Sequence, residues 1–107
     1  MRIFLLLSFL LSTYVSAAVY KGQSIFVTEC AFCHTDIRQF VLKHDAKEWK
    51  EMMINKGKPL AYIHIHTAEA QDSLKYFMGK QFSKDAKHLK DFLMEYSKDS
   101  GKVPVLN

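Results

Sequence analysis

Cys30-Ala31-Phe32-Cys33-His34 is the stretch of this 107-residue chain whose residue types and spacing can do chemistry by themselves. Two thiols three positions apart can add across the two vinyl groups of a haem, and the adjacent imidazole then reaches the iron. Cys-x-x-Cys-His is the attachment string of c-type haem. A bare Cys-x-x-Cys is shared with thioredoxin-like redox pairs and with half zinc sites. Here the His follows directly, and the chain has no other cysteine. The expectation is one covalently bound haem c, with Cys30 and Cys33 as the thioether positions and His34 as an iron ligand. A redox dithiol and a partial metal site are the alternatives.

The elements that must position this string begin after a leader. Arg2 gives a positive start, Ile3 to Val15 is apolar except for Ser8, Ser12 and Thr13, and Val15-Ser16-Ala17 offers small residues for cleavage. That pattern is a secretory signal over residues 1–17. The apolar run is shorter than the roughly 18 to 20 residues that cross a bilayer, so no stable membrane span is expected after cleavage. Retention as a short anchor is the alternative. Export implies the periplasm, an oxidising compartment where two free thiols would pair. Thioether bonds remove both from that fate. Residues 18–107 then form one domain, small enough that apolar burial alone is marginal and a staple is needed. A haem with its large apolar face can be that staple.

The chain carries 15 Lys and Arg against 11 Asp and Glu. Its lysines are dispersed and no basic run is interleaved with aromatics, so nucleic acid is not an expected partner. No Ser/His/Asp grouping and no paired-carboxylate motif is present, and an enzyme is not expected.

Along the mature region, Gly22 to Cys30 reads as a short helix leading into the site. Thr35 to Leu42 is a connection whose Ile37, Phe40, Val41 and Leu42 can cover a haem face. Asp45 caps a helix to about Asn55, with Trp49, Met52 and Met53 on its apolar side. Gly57 ends that helix and Pro59 opens the next segment. Tyr62-Ile63-His64-Ile65-His66 alternates like a strand with nothing to pair with, and is read as a loop or irregular helix before a helix from Thr67 to Met78. Gly79 ends that helix. Ser83 is the expected cap of a last helix with the stripe Phe82, Ala86, Leu89, Leu93 and Tyr96. Ser100-Gly101 stops it, and residues 103–107 are a tail. The fold class is all-α.

With these elements in place, the chain resembles class I (monohaem) cytochromes c, as a divergent bacterial member. Gly22, Phe26 and Cys30 recur at four-residue intervals, like the Gly and aromatic of that family's N-terminal helix. Leu93-Met94-Glu95-Tyr96 is similar to its aromatic-bearing terminal helix. The resemblance implies a small helical domain wrapped around one haem, with the two terminal helices crossing at the glycine. Two features depart from the family pattern. Thr35-Asp36-Ile37-Arg38 lacks the proline that usually follows the haem-binding His, and Met78 is followed by Gly79 where proline is frequent.

The ligand opposite His34 decides the redox character, because thioether, imidazole and vacancy give different functions. The resemblance puts Met78 there, beyond the middle helices and shortly before the terminal one. His64 and His66 are the rivals, followed by Met53, then Met52 and Met94, which suit core packing. His44 and His88 flank charged residues and are expected at the surface, and Trp49 is expected against the haem edge or a propionate. The implied function is one-electron transfer between periplasmic redox proteins by a monomer, with Lys56, Lys58 and Lys80 ringing the electron port. A cytochrome subunit dedicated to one dehydrogenase, such as a sulfite-oxidising one, and a five-coordinate haem that binds a gas are the alternatives.

Overall fold

Helix starts and stops in this chain are set by local chemistry that can be traced residue by residue over 17–104, the residues described by the computed structural model. The signal reading lies outside them except for Ala17, as do residues 105–107 of the tail. Helix α1 (17–25) runs into a π turn, Phe26–Cys30, closed by the Ala31 N–H donating to the Phe26 carbonyl at 2.9 Å. Next come α2 (Ile37–Val41), α3 (Ala46–Met52), α4 (Ile54–Ile65), a 3₁₀ segment (Ala68–Ser73), α5 (Leu74–Met78) and α6 (Lys80–Glu95). Among the described residues there is no strand, and no helix is long and apolar enough to cross a membrane. The all-α expectation holds.

Asp45 caps α3 through a reciprocal capping box. Its carboxylate accepts from the Glu48 N–H at 2.8 Å, and Glu48 accepts from the Asp45 N–H at 3.2 Å. This satisfies two otherwise orphaned donors at the helix start. Asp36 caps α2 in a similar way, accepting from the Arg38 and Gln39 N–H groups. Helix α3 stops at Met52, earlier than its sequence suggests. Asn55, Lys56 and Gly57 follow with φ of +50°, +59° and +76°, a left-handed turn that reverses the chain. Such backbone costs roughly 1–2 kcal/mol per L-residue, and glycine avoids that cost. Gly57 is required for a second reason: a Cβ there would lie 2.6 Å from the Phe82 ring. Pro59, in the first turn of the regular part of α4, then restarts the helix as expected.

Three further sequence expectations change. Tyr62 to His66 is regular helix up to Ile65, because no strand is available to it and the His66 N–H donates to the Tyr62 carbonyl at 3.1 Å. The single helix expected over Thr67 to Met78 is a 3₁₀ segment followed by one α turn. Ser83 is not a cap: extended Gly79 (φ −89°, ψ 171°) leads directly into α6 at Lys80, leaving Ser83 inside the helix.

The core sits between α6 and the rest. Phe82, Ala86, Leu89 and Leu93 of the α6 stripe are buried, with Phe92 beside them and Tyr96 half-buried at the end. Phe26 packs on Phe40 at 4.9 Å and on Phe92 at 5.9 Å between ring centroids. Trp49 is buried and donates its indole N–H to the Val41 carbonyl at 3.0 Å, tying α3 to α2. Helices α1 and α6 meet at Gly22, where an added Cβ would fall 2.0 Å from the His88 carbonyl oxygen and 2.6 Å from the Phe92 Cβ. Only a residue without a side chain allows that approach. Met53 is buried, with its terminal methyl close to Gly57.

Candidate functional site

The π turn delivers Cys30 at its last position, and Ala31 to Cys33 turn away from it. The Cys33 and His34 N–H groups both donate to the Cys30 carbonyl, at 3.2 and 2.9 Å. This local wrapping folds the five-residue string onto itself. π turns of this kind occur frequently at functional sites. Cys30 is half-buried, Cys33 exposed and His34 half-buried.

All three line one cleft of about 360 Å³. Phe26, Phe40, Trp49, Phe82, Leu89 and Leu93 give it apolar walls. Leu60, Ile63 and His64 of α4, with Phe77 of α5, form another wall, and exposed Glu29, Lys43 and Glu69 add charge around it. Volume and lining match a small-molecule or cofactor pocket, which is typically about 300–1,000 Å³, mostly apolar, with a few placed polar groups.

His34 packs against Phe40, with 4.5 Å between ring centroids, and faces the His64 ring at 6.1 Å with their planes 78° apart. Burial first, then the nearby Lys43 and His64, holds the His34 imidazole below its ordinary value of 6.5. At neutral pH the ring is therefore uncharged, the form that can donate a lone pair. The Cys30 thiol is pushed up to about 12, chiefly by burial and further by the nearby Glu29, Asp85 and Cys33. Dithiol oxidoreductases need the reverse, a thiol lowered to about 3.5–7.5. Among the described residues, no group of three or more His, Cys, Asp and Glu side chains converges to hold a metal ion. A structural zinc site takes four such ligands, whereas iron inside a macrocycle needs only one or two from the protein.

Beneath Cys30, buried Asp85 accepts from the Tyr76 hydroxyl at 2.8 Å and from the Gln81 amide at 2.9 Å. Burial, then this bond and the Asp85 charge, raises the Tyr76 phenol above its ordinary value of 10.0. The folded state thus holds the phenolic proton more tightly than the unfolded one. The stability this contributes is complete below about pH 10 and drains away as pH rises above it. Tyr76→Phe is expected to cost about 1 kcal/mol at pH 7 for the lost hydrogen bond. The gap between variant and wild type should close above pH 10 in urea titrations. A gap independent of pH would refute the coupling.

The sequence-predicted residues distribute unevenly. Cys30, Cys33 and His34 are together in the cleft, with Trp49 in its wall; the indole N–H is committed to Val41 and so is not available to a propionate. Met78 is 68 % exposed and lies outside the cleft. Its neighbour Phe77 lines the cleft, and one step along a helix turns the next side chain by about 100°. His66 is exposed and stacks on Tyr62 at 4.0 Å. Met52 lines the cleft, Met53 is in the core and Met94 packs at its edge. Lys56, Lys58 and Lys80 are exposed but do not line the cleft; Lys43 does.

His44 and His88, expected at the surface, are half-buried. His44 lines the cleft with its ring edge-on to Trp49 at 4.7 Å and its Nδ1 3.3 Å from Glu48. Reading the segment from Leu60 at helical period would have found the α4 wall, since Leu60, Ile63, His64 and Thr67 share one face at i, i+3, i+4 and i+7. The strand-like alternation hid it. No family model, no curated protein and no solved structure matches this chain.

Proposed function

We propose that the chain is a monohaem c-type cytochrome that carries single electrons between two periplasmic redox proteins. One observation carries the reading: both thiols and the imidazole of the Cys-x-x-Cys-His string open into a single apolar cleft whose far wall offers a second imidazole. The residues fit the group on three further counts. Cys30 is a protonated thiol and not a reactive thiolate. His34 is an uncharged donor. The crossing at Gly22 matches the contact that the resemblance to class I cytochromes c implies between terminal helices.

Within this reading, Cys30 and Cys33 anchor the haem through thioethers and His34 donates its lone pair to the iron. The bound haem supplies one-electron Fe(III)/Fe(II) cycling. Phe26, Phe40 and Trp49 exclude water from one side of the cleft, and Leu60, Ile63 and Phe77 from the other. Lys43 puts a positive charge where an acidic partner would dock, a steering effect that weakens with salt. A gas-binding role would need a vacant face opposite His34. His64 stands on that side, which favours the carrier.

The test is a mass and a spectrum. Expressed with its N-terminal segment in a host equipped for haem maturation, the protein is expected to be coloured and heavier than its polypeptide by one covalently held haem. It should be reversibly reduced by one electron. A colourless product with the polypeptide mass would overturn the proposal.

A further inference from the structure

We infer that His64 is the second axial ligand of the haem iron, opposite His34, giving a bis-imidazole centre; the inference rests on the covalent-haem reading and specifies its redox class.

The geometry of the two rings is the first support. Metal–imidazole bonds of about 2.0–2.1 Å place the centroids of two trans imidazoles on one metal about 6.3 Å apart. The centroids of His34 and His64 are 6.1 Å apart across the cleft that both line.

The second support is the proton arrangement on His64. Its Nδ1 lies 2.8 Å from the Leu60 carbonyl oxygen. A carbonyl can only accept, so Nδ1 carries a proton, and Nε2 is the ring nitrogen left to offer a lone pair. An Nδ1–H bond to a backbone carbonyl is what orients a ligating imidazole and fixes its tautomer. Phe77 stacks on the same ring, with centroids 4.1 Å apart and planes 24° apart, and limits its rotation.

His66, Met78 and Met53 fail on placement. His66 makes the equivalent bond to the Tyr62 carbonyl at 2.9 Å, yet it is exposed and outside the cleft. Met78 is exposed, and Met53 is buried in the core. Met52 alone among the methionines of the described residues lines the cleft. Replacing a thioether with imidazole removes a ligand that raises the potential. The protein therefore belongs to the low-potential end of electron carriers.

The test uses the haem-loaded full chain. The wild type should be low-spin in both oxidation states, lack the far-red sulfur-to-iron band and refuse carbon monoxide when reduced. His64→Ala should become high-spin when oxidised, bind carbon monoxide on mixing and recover the low-spin spectrum when imidazole is added. His64→Met, close in volume and suited to a case where the alanine variant does not accumulate, should gain the sulfur band and a higher potential. His66→Ala and Met78→Ala should leave every one of these readouts unchanged. A coloured wild type indifferent to His64→Ala overturns the assignment, as does a low-spin spectrum lost only in Met52→Ala. A colourless wild type instead overturns the covalent-haem reading beneath it.

Discussion

Cys30→Ala combined with Cys33→Ala is expected to yield a chain with no covalently held group and with stability lower by about 4 kcal/mol. The cleft leaves aromatic walls that need covering. A ligand present at a thousand times its Kd stabilises the folded state by about 4.1 kcal/mol. In the haem reading proposed above, two thioethers would make that occupancy permanent, because a tether converts binding into an intramolecular event. Without them His34 and apolar contact would hold the group reversibly, and dilution would release it. Each single variant should keep one thioether and most of the stability. Mass spectrometry and urea denaturation of wild type, singles and double decide the matter. A double variant that retains the bound mass, or unfolds at the wild-type urea concentration, would remove the thiols from the account.

Gly22→Ala is the second large effect, and its sign is not obvious. Alanine is a better helix former than glycine by about 1 kcal/mol, so propensity alone predicts a more stable protein. The close approach predicts the reverse. A Cβ 2.0 Å from the His88 carbonyl oxygen cannot be relieved by rotating a side chain, because the obstacle is backbone. Helices α1 and α6 must separate, and the packing of Phe26 on Phe92 loosens with them. Overpacking of this kind costs about 3 kcal/mol when backbone has to move. For a domain of this size that lowers the thermal midpoint by about 12 to 24 °C. Gly101→Ala is the matched control. It has nothing within 4 Å of its would-be Cβ but a φ of +73°, so it meets only the left-handed strain of roughly 1–2 kcal/mol. Equal midpoints for Gly22→Ala and the wild type would mean that the helices do not cross as closely as described.

The parts legible in the sequence were those decided within a few residues. Cys30, Cys33 and His34 lie within five residues, so the turn that gathers them is a local hydrogen-bond pattern around the Cys30 carbonyl. Asp45 and Glu48 form a capping box that reads directly as Asp-x-x-Glu. The α6 stripe follows the helical period, and Gly57 with Pro59 punctuates the chain as those residues usually do. Where local signals conflicted, the reading failed. Alternation from Tyr62 to His66 led to a loop or irregular helix, where the structure has regular helix up to Ile65. Ser83 looks like a cap, but extended Gly79 had already started the helix.

What the sequence determined unaided was the helical class and the local grouping of Cys30, Cys33 and His34. Which side chain looks at His34 from across the cleft was a matter for tertiary structure. Met78 and Phe77 are adjacent, and a rotation of about 100° decides that the phenyl ring enters while the thioether faces water. His64 lies 30 positions from His34, and their rings come within 6.1 Å only in the folded chain, where α4 continues from the left-handed turn at Asn55 to Gly57. Distances of that kind are set by packing, which no spacing along a chain encodes.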